Sequence, residues 1–266
     1  MKILVINASP NREKGGSHTT LQFIEKALCA ENDTVDIETL YLADLNQPYC
    51  DGCLSCLKEG GQTCPVLDKV APVEAAIRSA DGLIFAAPVH SFNIGAMGKT
   101  MIDLLVKEIH RPSFFGKKAV VVATAMGGGQ QGVLKYMRNT LALWGVDVVA
   151  KVGSSSAQLG KPHYDQKMEV VANSAARALL SSIANNTSPR PQLIDLISFQ
   201  IMRIAILNSS DSSPLDHQYW SERGWLQADY FSNDNINPMK NILAKMIGKL
   251  IGRQIRKDNS KPIYIG

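Results

Sequence analysis

An α/β fold with a parallel sheet is what this sequence predicts, and three observations carry the prediction. Strand-like and helix-like runs alternate through roughly the first 185 residues. Most of the strand-like runs are continuously apolar, as in strands buried on both faces by crossover helices. A polar, proline-marked stretch, Ala184-Asn185-Asn186-Thr187-Ser188-Pro189-Arg190-Pro191, then ends the alternation and reads as a linker. The expected organisation is therefore a domain over residues 1–188 and a mainly helical C-terminal extension over 189–266.

The elements follow in order. Ile3–Ile6 is a short apolar strand, followed by a polar loop and a helix over Ser17–Cys29, on which Cys29 is expected to be a core residue. Further strands are expected at Thr34–Leu42, Leu83–Ala87, Ala119–Thr124 and Val146–Val152. Helices are expected at Asp68–Arg78, Gly98–Glu108, Gln130–Trp144 and Tyr164–Ala184. Five strands and five helices in this alternation suit a flavodoxin-like doubly wound sheet, in which ligands bind beyond the carboxyl ends of the strands. The extension reads as an apolar helix (Leu193–Leu207), a turn (Ser209–Pro214), an aromatic segment and a basic helix (Met239–Lys257).

Composition bounds the chemistry. A formal charge of +4 on 266 residues is too small to argue for nucleic acid. No apolar run approaches the roughly 20 residues of a membrane span. Met1 leads straight into a strand without a signal peptide, so a cytoplasmic protein is expected. Four of the five cysteines fall between positions 50 and 64, a clustering that suits metal or redox chemistry better than secreted disulfides.

Three loops at strand ends draw attention. After the first strand, Asn7-Ala8-Ser9-Pro10-Asn11 and Gly15-Gly16-Ser17-His18-Thr19-Thr20 place hydroxyls and free amides at a helix N-terminus, which suits a phosphate. The plain alternative is that Ser17 or Thr19 caps the helix. After the third strand, Pro88, Val89, His90, Ser91, Phe92 and Asn93 offer a mixed polar and aromatic surface of the kind a flat heterocycle needs. After the fourth, Gly127, Gly128 and Gly129, preceded by the candidate Met126, let backbone approach a ligand closely; the plain alternative is a flexible turn. Asn93–Thr100 is one residue short of a phosphate-binding P-loop. The other strands end in Ser9, Leu42, Thr124 and Gly153, so a metal-holding Asp is missing, and Lys99 and Asp103 are expected to pair along their helix. The dinucleotide fingerprint is also missing after the first strand.

Taken together, NASPN…GGSHTT, APVHSFNIGAMGKTMID and AMGGGQ resemble the NADPH-dependent FMN reductase family of flavodoxin-like NAD(P)H oxidoreductases over about residues 1–185. His90 stands where that family commonly has Tyr, and Asn7–Asn11 replaces its Gly-Ser-Pro-Arg. The resemblance implies that Ser9, Asn11, Ser17, His18 and Thr19 hold the FMN phosphate. It also implies that Pro88 to Asn93 line the ring and ribityl chain, and that Met126 to Gly129 close over the ring edge. Hydride would pass from NAD(P)H to the flavin and on to a small-molecule or protein acceptor, with no catalytic side chain required. A homodimer or homotetramer is a further expectation from the family.

Cys50-x2-Cys53-x2-Cys56-x7-Cys64, followed by Pro65, has the donors of a [4Fe–4S] cluster. Structural zinc and unligated thiols are the other readings. The motif resembles that of the iron–sulfur flavoproteins, a branch of the same fold in which FMN and cluster exchange electrons. Two other functions stay open: an electron carrier fed by a ferredoxin-type partner, and a zinc-stabilised binding protein without flavin. The extension, with six Lys/Arg and no acidic residue in Met239–Lys257, is expected to cover a cleft or a partner, or to lie on a membrane surface.

Overall fold

A computed structural model describes residues 1–208, 213–232 and 234–258. Within it the chain forms β1 (Lys2–Asn7), α1 (Gly16–Glu31), β2 (Asp36–Tyr41), α2 (Ser55–Lys58), α3 (Leu67–Ser79), β3 (Gly82–His90) and β4 (Asn93–Ile94). Then come α4 (Ala96–Leu104), α5 (Lys107–His110), β5 (Lys118–Ala125), α6 (Gln130–Leu143), β6 (Asp147–Ser155) and α7 (Pro162–Ala184). Helices α8 (Leu193–Leu207), α9 (Pro214–Glu222) and α10 (Pro238–Asp258) complete it. The described residues divide into two compact units: Met1–Cys53 with Cys64–Thr187, and Leu54–Thr63 with the described residues from Ser188 onward.

The first unit holds a sheet in the order β2-β1-β3-β5-β6, all parallel, with β4 antiparallel to β3. This is the flavodoxin-like order, and its topological switch falls between β1 and β3. Strand β5 is buried at every position, and β3 at all but its last three. Alternate residues therefore face opposite layers. Leu4, Ile6, Leu83, Phe85, Val121 and Ala123 pack with Val73, Met101, Met137 and Leu141 of α3, α4 and α6. Ile3, Val5, Ile84, Val120 and Val122 pack with Leu21, Ile24, Ala172 and Leu179 of α1 and α7.

Three departures from the sequence expectation are local. The helix expected over Gly98–Glu108 is broken after Leu104 into α4 and α5, with Leu105 buried and bonded back to Met101. Cys29 is not a core residue but exposed. On α1 the inward face is Leu21, Ile24 and Leu28; Cys29 follows Leu28 by 100° and falls on the side of the exposed Gln22 and Lys26. The short strand β4 lies where a ligand loop without regular structure was expected.

In the second unit, Phe199 of α8 is fully buried against Trp220 of α9 (ring centroids 5.2 Å) and against Tyr230 and Phe231 (5.6 and 4.9 Å). The aromatic segment is thus a core, and its first part is helical. Gln192 and Asp195 form a reciprocal capping box at the start of α8. The turn expected at Ser209–Pro214 lies mostly outside the described residues.

Candidate functional site

The carboxyl ends of β1, β3 and β5 are neighbours in register: Asn7 pairs with Ala86, and Pro88 with Thr124. The sheet order therefore gathers three of the loops singled out from the sequence at one edge of the first unit.

The loop after β1 is built by hydrogen bonds. Ser9 N–H donates to Asn7 Oδ1 at 2.9 Å, and Asn11 N–H donates to Ser9 Oγ at 3.3 Å. Asn7, Ser9 and Ser17 are buried, His18 and Thr19 half-buried, and Asn11 exposed. Gly15 precedes α1 without a side-chain cap, and a Cβ there would lie 2.6 Å from Ser9 Oγ. A side chain there would push the Ser9 hydroxyl aside. The first turn of α1 carries no acidic residue, so its positive end is not neutralised locally. Asn7 Nδ2 is buried and has no hydrogen-bond partner among the described residues. The plain alternative, a helix capped by Ser17 or Thr19, finds no support in that bonding.

Behind this loop runs a chain of hydroxyls: Thr124 Oγ1 to Ser154 Oγ (2.9 Å), Ser154 Oγ to Thr20 Oγ1 (2.7 Å), and Thr20 Oγ1 to the Gly16 carbonyl (2.9 Å). Gln130 Nε2 donates to the Ser154 carbonyl at 3.1 Å. Each buried hydroxyl thus has a partner, and the first turn of α1 is tied to β5 and β6. Neither Ser154 nor Thr124 was a sequence candidate. The contacts join positions 134 and 30 apart, with no local signal.

His18 Nδ1 lies 3.3 Å from Tyr41 Oη. Burial pushes the Tyr41 phenol upward, aided by Glu13, Glu25 and Asp44. Burial likewise raises the Glu25 carboxyl, opposed by the positive charge His18 can carry. Arg12, in left-handed backbone, pairs with Asp44 at 2.5 Å.

The second loop is a tight hairpin. His90 pairs with Asn93, and both residues between them have positive φ, 49° at Ser91 and 61° at Phe92. That is the signature of a type I′ turn, which ordinarily takes Asn-Gly. A phenylalanine held there costs about 1–3 kcal/mol. The strained turn leaves Phe92 80% exposed at the site. Pro88 and Val89 are half-buried, while His90, Ser91 and Asn93 are exposed.

The third loop packs against this turn. Gly129 has φ +96°, and a Cβ on it would stand 3.0 Å from Val89 Cγ1 and 3.3 Å from Phe92 Cα. Gly127 and Gly128 meet nothing within 4 Å, and Met126 is 78% exposed. Phe92 and Met126 are thus both exposed, and Phe92 lies against Gly129. Lys99 and Asp103 pair at 2.5 Å along α4, as the spacing predicts.

These residues fit FMN: hydroxyls and helix amides for a phosphate, apolar and amide groups for a flat ring. The cysteines are a different case. Cys50 and Cys53 are exposed, Cys56 and Cys64 half-buried, and no disulfide joins any of the four. Among the described residues no three His, Cys, Asp or Glu side chains are gathered as a metal-holding group. The four thiols have the right chemistry for a cluster.

The family model for NADPH-dependent FMN reductase matches residues 1–159. An iron–sulfur flavoprotein of Archaeoglobus fulgidus is 27% identical over 230 residues, 85% of this chain and 100% of its own. An iron–sulfur flavoprotein of Methanocaldococcus jannaschii is 28% identical over 197 residues, 69% of this chain and 96% of its own. Among solved structures, an FMN-dependent NADH-azoreductase from Bacillus anthracis in complex with FMN shares the fold. It has a TM-score of 0.53 and 19% identity over 67% of this chain and 99% of that one. The chain belongs to the NADPH-dependent FMN reductase family and is a flavodoxin-like, FMN-dependent oxidoreductase.

Proposed function

We propose that the chain binds FMN at the edge formed by β1, β3 and β5, and reduces an electron acceptor at the expense of NAD(P)H. The observation that carries this reading is the loop after β1, already closed by hydrogen bonds around an uncapped helix N-terminus. Ser9, Ser17, His18 and Thr19, with the first amides of α1, would hold the phosphate, and Asn11 would flank it from the exposed rim. Asn7 Nδ2 is a buried donor still available to the ligand. Pro88 to Asn93 would support the ring and ribityl chain, and Met126 to Gly129 would meet its edge. When bound, FMN supplies hydride acceptance from the nicotinamide and one- or two-electron delivery. The side chains named here bind, orient and exclude water; none needs to move a proton.

The finer reading is that Cys50, Cys53, Cys56 and Cys64 hold a [4Fe–4S] cluster. It rests on the cysteine spacing and on the names of the relatives. Metal binding there would be coupled to ordering of the loop, as is common for metal sites. Protein purified without air should show a flavin spectrum with stoichiometric FMN, and should oxidise NADH or NADPH in a single turnover. About four irons and four sulfides per chain would carry the cluster reading. Zinc in their place, or no metal, would remove it while leaving the reductase standing. Failure to take up FMN would remove both.

A further inference from the structure

Helix α10 has two faces of opposite character. On one, Ala244 is fully buried, and Cβ atoms on Gly248 and Gly252 would come within 2.7 Å of Gln200 and Ile204 of α8. Small residues at four-residue intervals let the two helices approach closely, so this face is used within its own unit. On the other, Met239 (81% exposed), Ile242 (61%), Leu243 (44%), Met246 (58%) and Leu250 (62%) form a stripe. At 100° per residue they span an arc of about 100°, the width of a buried helix face rather than scattered surface residues.

The charge around the stripe narrows what can cover it. Met239–Lys257 contains six Lys/Arg and no acidic residue. Lys245 pairs with Asp229 at 2.6 Å, while Lys240 and Lys249 are exposed, Lys249 directly beside the stripe. Two copies of this helix laid face to face would bring like charges together, which disfavours self-association. An anionic surface has the complementary charge and accepts a straight apolar stripe without a matching pocket. No helix of the described residues is long and apolar enough to cross a membrane, so contact would be confined to the surface.

We propose that α10 is a bilayer-surface helix. Met239, Ile242, Leu243, Met246 and Leu250 enter the acyl boundary of an anionic leaflet, and the neighbouring lysines meet lipid phosphates. The test is flotation of the full chain with phosphatidylcholine vesicles, with and without phosphatidylserine. Wild type should float with the anionic vesicles and much less with the neutral ones, and raised salt should weaken it. Met246→Glu combined with Leu250→Glu should weaken binding about tenfold or more, since both side chains are on the exposed face. Unchanged tryptophan fluorescence would show the fold intact. Lys249→Gln should weaken binding to anionic vesicles alone. The proposal is overturned if wild type does not float with anionic vesicles, if it floats equally with neutral ones, or if the double variant floats as well. It is also overturned if the double variant instead dissociates an oligomer in light scattering while wild type ignores vesicles, which would make the stripe an interface between copies.

Discussion

The loop after β1 and the cysteine loop after β2 both carry candidate ligands, yet they are organised in opposite ways. Asn7, Ser9 and Ser17 are buried, Asn7, Ser9 and Asn11 are linked by short-range hydrogen bonds, and the Thr20–Ser154–Thr124 chain ties down the first turn of α1. Cys50 and Cys53 are exposed, and left-handed backbone at Gly52 and Leu54 carries the chain between them and on to Cys56. The first loop is preorganised by protein contacts, so its ligand need not supply ordering energy. The second has hydrogen bonds of its own, Cys53 N–H to Asp51 Oδ1 at 3.0 Å and Ser55 Oγ to Thr63 Oγ1 at 2.5 Å, but among the described residues they gather no metal-holding group. A phosphate site can be made from backbone and helix ends already fixed by the fold. A four-thiolate site needs four side chains to converge, and nothing short of the metal makes convergence favourable.

The sharpest way to break the contrast is Gly15→Val. Its side chain would displace Ser9 and open the preorganised loop, so FMN affinity should fall about 100-fold, with the sheet intact by circular dichroism. Retention of FMN at wild-type affinity would mean the loop is not the phosphate site. A smaller effect is expected from Thr20→Val, which keeps the shape but leaves the Ser154 hydroxyl without its acceptor. Denaturant unfolding should show a loss of about 1–3 kcal/mol. A value near zero would mean that the hydroxyl chain merely fills space. Smallest of all should be Cys53→Ser in chelator-treated protein, where unfolding free energy should change by less than about 0.5 kcal/mol. A larger loss would show that the Cys53 thiol itself contributes to the fold, narrowing the difference between the two loops.

Legibility in the sequence followed the range of the interactions. Apolar runs such as Ile3–Ile6 and Leu83–Ala87 were readable because burial on both faces leaves a continuous signature. So was Leu193–Leu207, whose observed span is the expected one. The loop after β1 could be singled out as a candidate because its hydroxyls and amides sit within about a dozen residues. Cys29 was misplaced because a helix position one residue from Leu28 looks apolar in sequence yet turns to the outer face. The type I′ turn at Ser91-Phe92 was illegible because neither residue favours positive φ; pairing of β4 with β3 imposes it.

What the sequence determined by itself was the alternating architecture and the place of the three loops at strand ends, since each depends on residues close together in the chain. Only tertiary structure decided which of these meet. Sheet order set β1, β3 and β5 side by side, and Ser154 and Thr124 were brought under α1 from distant positions. The packing of α8 on α10 through Ala244, Gly248 and Gly252 likewise left one apolar face of α10 outward. Local patterns encode what a segment prefers; which of its faces is buried depends on partners that the pattern does not name.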